Sequence, residues 1–401
     1  MVQFLPFPGL LPSSKKNDDI KERVSPPYDV ISEKEKQRLQ SSAHNIARIT
    51  LGAKEGNYEA AASELQKWIN DGHLLKDKEP AFYLYRQYFE EEGHSIVRTG
   101  IMGGLRVEAY DTGNIIPHEE TFPKIKEDRL NLLRATQMHP ESILCIHDPM
   151  GAEMRSELER TAEPLFDLED DTGVRHTFSR IKDKTMVDRI TNMLRDQKVL
   201  IADGHHRYET ALKYSLENPG DERKGYVLAT LVASDDPGLI VRPTHRLYSL
   251  ADFSLDHLLH EVTKNFGVWE LKNTNEMLEF MAKARRPILG MMTKDGRTFV
   301  AELLHHDKKN PLGNLDTYLC EELIYKRILA KEGVEVKVEF DHDFASVEGK
   351  MKEGTWDLAV ILSPPSLDLV WKLARSGRKM PKKSTYFWPK IWSGFVLYEM
   401  K

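Results

Sequence analysis

The sequence predicts an α/β (α+β) protein, with a mixed-sheet core and an additional C-terminal α/β domain. Three observations lead there. Strand-like and helix-like runs alternate along most of the 401 residues. The segment KVLIADGHHRYETALKYSLE (198–217) reads as strand, tight turn and helix. No segment recurs at a fixed period, which argues against a solenoid or a propeller.

The first eighty residues read as a loop-rich lead followed by helices. In SPPYDVI (25–31), Pro26 and Pro27 hold the backbone extended. Asp29 either binds a metal or a substrate amine or caps the helix beginning near Ser32, and Ser32 with Glu35 three residues on fits a capping box, which favours the second. Over 57–70, Tyr58, Ala61, Ala62, Leu65, Trp68 and Ile69 recur at a 3.6-residue period, and Asp71-Gly72 supplies the stop. AFYLYRQYF (81–89) and IVRTGIMGGLRVEAY (96–110) flank the polar EEEGH and read as a hairpin.

The second half of 115–136 looks helical, and ESILCIHD (141–148) looks like a short strand. Residues 185–196 carry Met186, Val187, Ile190, Met193 and Leu194 on one side of a helix. YVLATLVAS (226–234) is a strand, and PTHRLYSL (243–250) is expected to return into the same sheet. From about 251 the rhythm changes to helices alternating with short strands, including a hairpin turning at Asp295-Gly296 and a long amphipathic helix in LDTYLCEELIYKRILA. The expected division is 1–80 as a loop and helical segment packed on the core, 81–250 as the core, and 251–401 as the C-terminal α/β domain.

Composition excludes several classes. Lys and Arg number 57 against 63 Asp and Glu, a formal net charge of −6. Such a chain does not coat nucleic acid, and no nucleic-acid partner is expected. No run approaches the ~18 apolar residues of a membrane span, and Pro6, Pro8 and Pro12 interrupt the apolar opening. Cys145 and Cys320 stand far apart with no CxxC pair, which excludes a disulfide scaffold and a thiolate zinc site and fits a cytoplasmic location.

The sharpest local signal is IADGHHRYETAL (201–212). Val199 to Ala202 runs into Asp203-Gly204, and Gly204 takes a sharp turn that a branched residue would resist. His205, His206 and Arg207 then stand at the mouth of a helix expected to start near Tyr208. A helix N-terminus offers unpaired N–H groups to an anion. Arg207 would add a bidentate clamp, and a histidine one further donor. Asp203, acidic beside such a site, would hold Mg²⁺ or orient a histidine or a hydroxyl. The plain alternative is a polar turn capping a helix.

A second signal is PHEETFPK (117–124), which places His118, Glu119 and Glu120 on an exposed or bridging loop between Pro117 and Pro123. Adjacent carboxylates raise one another's pKa toward the range of a general base, and Lys124, Lys126 and Arg129 follow. The alternative is a solvated charged loop. VRPTHR (241–246) brings Arg242, His245 and Arg246 to a strand end, and MPKKSTYFWPK (380–390) gathers Lys382, Lys383, Ser384 and Thr385. Either is a phosphate or carboxylate contact, or a surface turn. Neither GxxxxGK[ST] nor GxGxxG nor HExxH occurs, and the neighbours His205 and His206 point apart, so no metal site is assigned to the histidines.

VSPPYDVI, ITLG (49–52), IIPHEETFPKIKEDRLNLLRAT, ADGHHRYETAL, PTHR and MPKKSTYFWPK together resemble, in that order, the bacterial and archaeal domain-of-unknown-function family numbered ten-fifteen. The likeness runs from about residue 4 to residue 398. Within it, the PHE and DGHHR motifs resemble the ParB/sulfiredoxin-type fold and its ADP-dependent free-serine kinases. That resemblance implies a core of this type at 81–250, with Asp203, Gly204, His205, His206 and Arg207 as a phosphate and nucleotide loop and Glu119 as the base that activates a hydroxyl. Asp203 and His205 would join Glu119 in catalysis. His118, Glu120, His245, Arg246, Lys382 and Lys383 would face the substrate. It further implies ADP or ATP as co-substrate, Mg²⁺, and a small hydroxy amino acid such as serine. Other outcomes are a phosphatase on a small phosphorylated metabolite and a non-catalytic nucleotide or phosphometabolite sensor. A long insertion near 149–184 and about 150 residues after the core depart from the kinases.

Overall fold

The computed structural model describes the chain except for residues 14–18, 53–55, 120, 122, 306–308 and 331–334, together with the side chains of 123–125. It is a mixed α/β structure, and the chain divides into two compact units. The first comprises Met1–Pro117, Thr121–Ile240 and Pro389–Lys401; the second comprises His118–Glu120 and Val241–Trp388.

The first unit is built on a nine-stranded mixed sheet. Its central path runs Ile115–Ile116, Val199–Asp203, Ile143–His147, Tyr226–Ala233, His94–Arg106 and Phe82–Glu91, then Arg175–Ile181 and Glu163–Glu169. Val199–Asp203 is antiparallel to Ile143–His147, which is parallel to Tyr226–Ala233. Both central strands are buried throughout because both faces are covered. The hairpin turns where the sequence places it. Glu92 and Gly93 both take positive φ, 51° and 78°, the backbone a tight two-residue hairpin turn requires.

Helices close the faces for local reasons. Tyr58–Asn70 starts at Asn57, whose side chain accepts from the Ala60 N–H, and ends at Asp71-Gly72. Ser32 likewise accepts from the Glu35 N–H and opens Glu33–Ser41. Lys184–Arg195 buries Met186, Ile190 and Leu194, one per turn, into the core that holds Ile143, Cys145, Ile201 and Leu231.

The second unit holds a six-stranded antiparallel sheet ordered Phe266–Leu271, Thr298–Leu303, Ile288–Thr293, Leu358–Ile361, His245–Leu250 and Val336–Asp341. This corrects the expected return of 243–250 into the first sheet: His245–Leu250 pairs with Val336–Asp341 and Leu358–Ile361. Val241–Trp388 belongs to the second unit and Pro389–Lys401 to the first. The helix in LDTYLCEELIYKRILA is α-helical over Asp316–Leu319 and then widens to a π-helix over Cys320–Leu329, closing with the Ala330 N–H on the Tyr325 carbonyl. Among the described residues no helix is long and apolar enough to cross a membrane.

Burial in the first unit has a consequence for pH. His139 and His147 are buried, and desolvation pushes each imidazole down to about 4. The unfolded chain protonates each near pH 6.5, the folded chain only near 4. The stabilisation is therefore complete above pH 6.5 and is lost as the pH falls through that window. His139→Gln, which keeps a donor for the Tyr226 carbonyl that His139 Nε2 meets at 3.1 Å, is expected to remove about 3 kcal/mol of acid-dependent loss. Urea unfolding of both proteins between pH 7 and pH 4.5 measures it; parallel curves would refute it.

Candidate functional site

The strand Val199–Asp203 carries four buried apolar residues and delivers Asp203 at its end. Gly204 turns the chain with φ 91°, and the helix His205–Glu217 begins at once. The helix therefore starts three residues earlier than the sequence suggested. The glycine alone makes the turn, so His205 is already helical. No side chain caps the helix at Gly204. His205 is buried and His206 half-buried, on diverging directions as neighbours on a helix must be.

Asp203 is the centre of the electrostatics. Its Oδ2 accepts from Arg207 Nη2 at 2.7 Å, and its Oδ1 pairs with Lys390 Nζ at 2.6 Å. Arg207 does not stand out as an open clamp. Its second terminal nitrogen, Nη1, donates to the Ser142 carbonyl at 2.5 Å, and its side chain is 10% exposed. Burial pulls its pKa down, but Asp203, Glu141 and Asp29 outweigh burial and hold it above the ordinary arginine value. Glu141 is itself buried, and desolvation raises its pKa against the pull of Arg207 and Arg129. Its Oε1 accepts from the Tyr28 N–H at 3.0 Å, and the Arg129 guanidinium lies 4.5 Å over the Tyr28 ring. SPPYDVI thus reaches the same electrostatic cluster through Tyr28, while Asp29 stays exposed.

Behind Lys390 lies a pair that sequence reading missed. Gln87 and Arg98 face each other across the antiparallel strands Phe82–Glu91 and His94–Arg106, and both are about 1% exposed. Arg98 Nε donates to Gln87 Oε1 at 3.1 Å, and Nη2 donates to both Gln87 Oε1 and the Pro389 carbonyl. Gln87 Nε2 donates to the Lys390 carbonyl at 2.8 Å. Burial pushes the Arg98 guanidinium down to about 10, with Tyr85, Asp236 and Asp203 pulling it back up. A charged residue inside an apolar strand is the one signal that would have flagged it.

In the second unit Glu119 is held as tightly. Its Oε1 accepts the Ser384 N–H, the Thr385 N–H and the Thr385 hydroxyl, each at 3.0 Å. His118 is fully buried and meets Thr385 Oγ1 at 2.8 Å through Nε2. Of the expected exposed or bridging loop, the structure gives the bridging form, with His118 buried. The chain here forms a bridge with Met380, and the Met380 N–H donates to the His118 carbonyl. Ser384 and Thr385 of MPKKSTYFWPK hold Glu119, and Lys383 adopts φ 57° to make the turn. Glu120 lies outside the described residues.

The remaining candidates lie in the second unit. Arg246 is buried and donates to the carbonyls of Thr244, Lys382 and Lys383. His245 Nδ1 accepts the Leu362 N–H at 3.2 Å, and burial pushes its pKa down to about 4. Lys382 is half-buried and Lys383 exposed. Among the described residues, no cluster of three His, Cys, Asp or Glu side chains stands ready for a metal ion. Asp203 fits Mg²⁺ poorly, because each carboxylate oxygen already faces a cation.

The turn at Gly204 is sterically demanding. A Cβ there would lie 2.8 Å from Ile143 Cγ2 and 3.1 Å from Arg207 Nε. Gly204→Ala is expected to cost about 1–3 kcal/mol in urea unfolding, from the left-handed backbone and the crowding. Gly225→Ala, where a Cβ meets only Ser215 Oγ at 3.9 Å, serves as the neutral comparison. Equal midpoints for the two would refute the account.

Among solved structures, the chain is similar to a conserved hypothetical protein from Pyrococcus furiosus, with 14% identity and a TM-score of 0.39 over 73% of this chain and 92% of that one. It is similar to a free serine kinase variant in complex with AMP, with 13% identity and a TM-score of 0.39 over 72% and 87%. It is also similar to SbnI with a C-terminal truncation from Staphylococcus aureus, with 11% identity and a TM-score of 0.37 over 74% and 86%. No curated protein matches. Residues 4–318 match the family model described as protein of unknown function DUF1015, so the motifs at 25–31, 115–136, 201–212 and 243–246 lie in the matched span, and the chain belongs to that family.

Proposed function

We propose that the protein is a phosphotransferase that moves a phosphoryl group between a nucleotide, ADP or ATP, and a small hydroxy amino acid. The observation that carries this reading is the turn at 203–207. A helix N-terminus without a side-chain cap follows a positive-φ glycine, and the Asp203 carboxylate beside it faces both Lys390 and Arg207. Such a turn suits an anion with several oxygens, because backbone N–H groups and fixed cations neutralise it without reorganisation.

In this reading Gly204, His205, His206 and Arg207 form the nucleotide-phosphate loop, with Arg207 acting through Asp203. Glu119 is the proton acceptor. Three donors on Oε1 fix its carboxylate, which takes the proton of the substrate hydroxyl. The hydroxyl oxygen then bonds to the terminal phosphorus, and the bond from that phosphorus to its bridging oxygen breaks, releasing the shortened nucleotide. His118, fixed on Thr385, orients the Glu119 segment. Mg²⁺ would arrive on the nucleotide phosphates, since Asp203 is a poor ligand for it.

Phosphorus NMR tests the reaction. Protein, Mg²⁺ and ADP or ATP are mixed with serine and other hydroxy amino acids. Serine comes first because one similar structure is that of a free serine kinase. A new phosphomonoester resonance is expected. Its absence with every acceptor, or phosphate release from phosphoserine without nucleotide, would overturn the transferase reading, the latter in favour of a phosphatase. Glu119→Gln keeps an oxygen for the three donors and removes the basic charge. It is expected to lower turnover by about a hundredfold or more while leaving nucleotide affinity within threefold. Undiminished turnover would sink the assignment of the base.

A further inference from the structure

We infer that the cavity between the helices Pro123–Thr136 and His205–Glu217 binds a small primary ammonium on Glu141, the α-ammonium of the hydroxy amino acid. This site rests on the reading of the acceptor as a small hydroxy amino acid, and it gives the acceptor's amino group a place.

The cavity lies wholly in the first unit and measures about 40 Å³. Arg129, Leu132 and Leu133 come from one helix, at the i, i+3, i+4 spacing that shares a face, and Arg207 and Thr210 come from the other. The segment from Met138 to Glu141 closes one end. One water needs ~10–15 Å³, so there is room for about three. Such a space suits the head of a small molecule and is too small for a nucleobase.

Glu141 is the group there whose bonding the fold leaves incomplete. It is 5% exposed. Its Oε1 accepts the Tyr28 N–H at 3.0 Å and the Ser393 hydroxyl at 3.5 Å. Among the described residues, Oε2 accepts no hydrogen bond, and no side-chain cation lies within 4 Å of either oxygen. A buried carboxylate in that condition is costly. Desolvation accordingly raises its pKa against the pull of Arg207 and Arg129.

The neighbouring cations do not supply the missing partner. Arg129 is engaged by Asp128 and the Thr50 carbonyl, and Arg207 by Asp203 and the Ser142 carbonyl. His139 also lines the cavity, and burial, which pushes its pKa down to about 4, keeps it neutral at pH 7. A simple anion entering here would meet the Glu141 carboxylate. An ammonium instead brings a charge and donors to an oxygen that has neither. Leu132, Leu133 and Met138 suit the carbon atoms that carry it. The two guanidiniums favour a carboxylate in the same molecule, so the mixture fits a zwitterion.

The test uses the full chain and isothermal titration with serine, threonine and homoserine, with and without AMP. Binding of none of them to the wild-type protein would overturn the inference and leave a cavity that holds only water. 3-Hydroxypropionate, which is serine without its ammonium, is expected to bind about tenfold more weakly than serine or worse. Equal affinities would overturn the inference. Glu141→Gln, whose amide oxygen still accepts the Tyr28 N–H, is expected to weaken the amino acid about tenfold or more, so that the preference over 3-hydroxypropionate disappears. A folded Glu141→Gln protein that binds serine as wild type does would refute the site. Should that variant not fold, Leu133→Phe fills the cavity from its apolar wall and is expected to cost the amino acid a similar factor, and unchanged affinity there would count equally against it. The two readings fail separately. Amino-acid binding that depends on Glu141, without any new phosphomonoester, would remove the transferase and keep the site. A phosphomonoester formed with the same KM for serine by wild type and Glu141→Gln would keep the transferase and remove the site.

Discussion

The interaction on which the first unit's candidate site depends is the sharing of one carboxylate by two cations. Asp203 closes a buried strand, and its two oxygens face Arg207 and Lys390. A carboxylate in this position without partners would be expensive, and breaking a buried pair costs several kcal/mol. With partners, it does three things at once. It ties the helix His205–Glu217 to the strand before it, through a bond four residues ahead. It draws the chain near 390 onto the end of that strand. It brings two cations to the start of that helix.

The second unit solves a similar problem with neutral donors. Glu119 is stabilised by two backbone N–H groups and a hydroxyl, all from Ser384 and Thr385. Bonds from neutral donors fix the position of one carboxylate oxygen. The same eleven-residue motif, MPKKSTYFWPK, supplies the donors for Glu119 and the ammonium for Asp203, and the change from one unit to the other falls within it, at 388/389. A basic, aromatic stretch that looks like a surface turn thus supplies partners to a carboxylate in each unit.

Features that depend on a few consecutive residues were readable. Asp71-Gly72, Ser32 with Glu35, and the turn at Glu92-Gly93 act through local dihedrals and local hydrogen bonds, and each sits where its chemistry requires. The turn at Gly204 was readable for the same reason, since its positive φ follows from the chain passing directly from strand to helix. The start of that helix was misplaced because the DGHHR side chains resemble a loop, whereas the backbone of His205 is already helical. The strand at 245–250 was recognised as a strand but given the wrong sheet, because period and composition say nothing about the partner.

Sequence alone determined the α/β class, the order of most elements, the special conformation at Gly204 and the residues of the two motifs. Tertiary structure alone decided their partners. Lys390 meets Asp203 across 187 positions, Ser384 meets Glu119 across 265, and Arg98 reaches the Pro389 carbonyl across 291. Local backbone preferences act over a few residues and leave their mark in the sequence nearby. A long-range pair forms only when sheet register and chain path bring two distant segments together, and no short stretch of sequence carries that information.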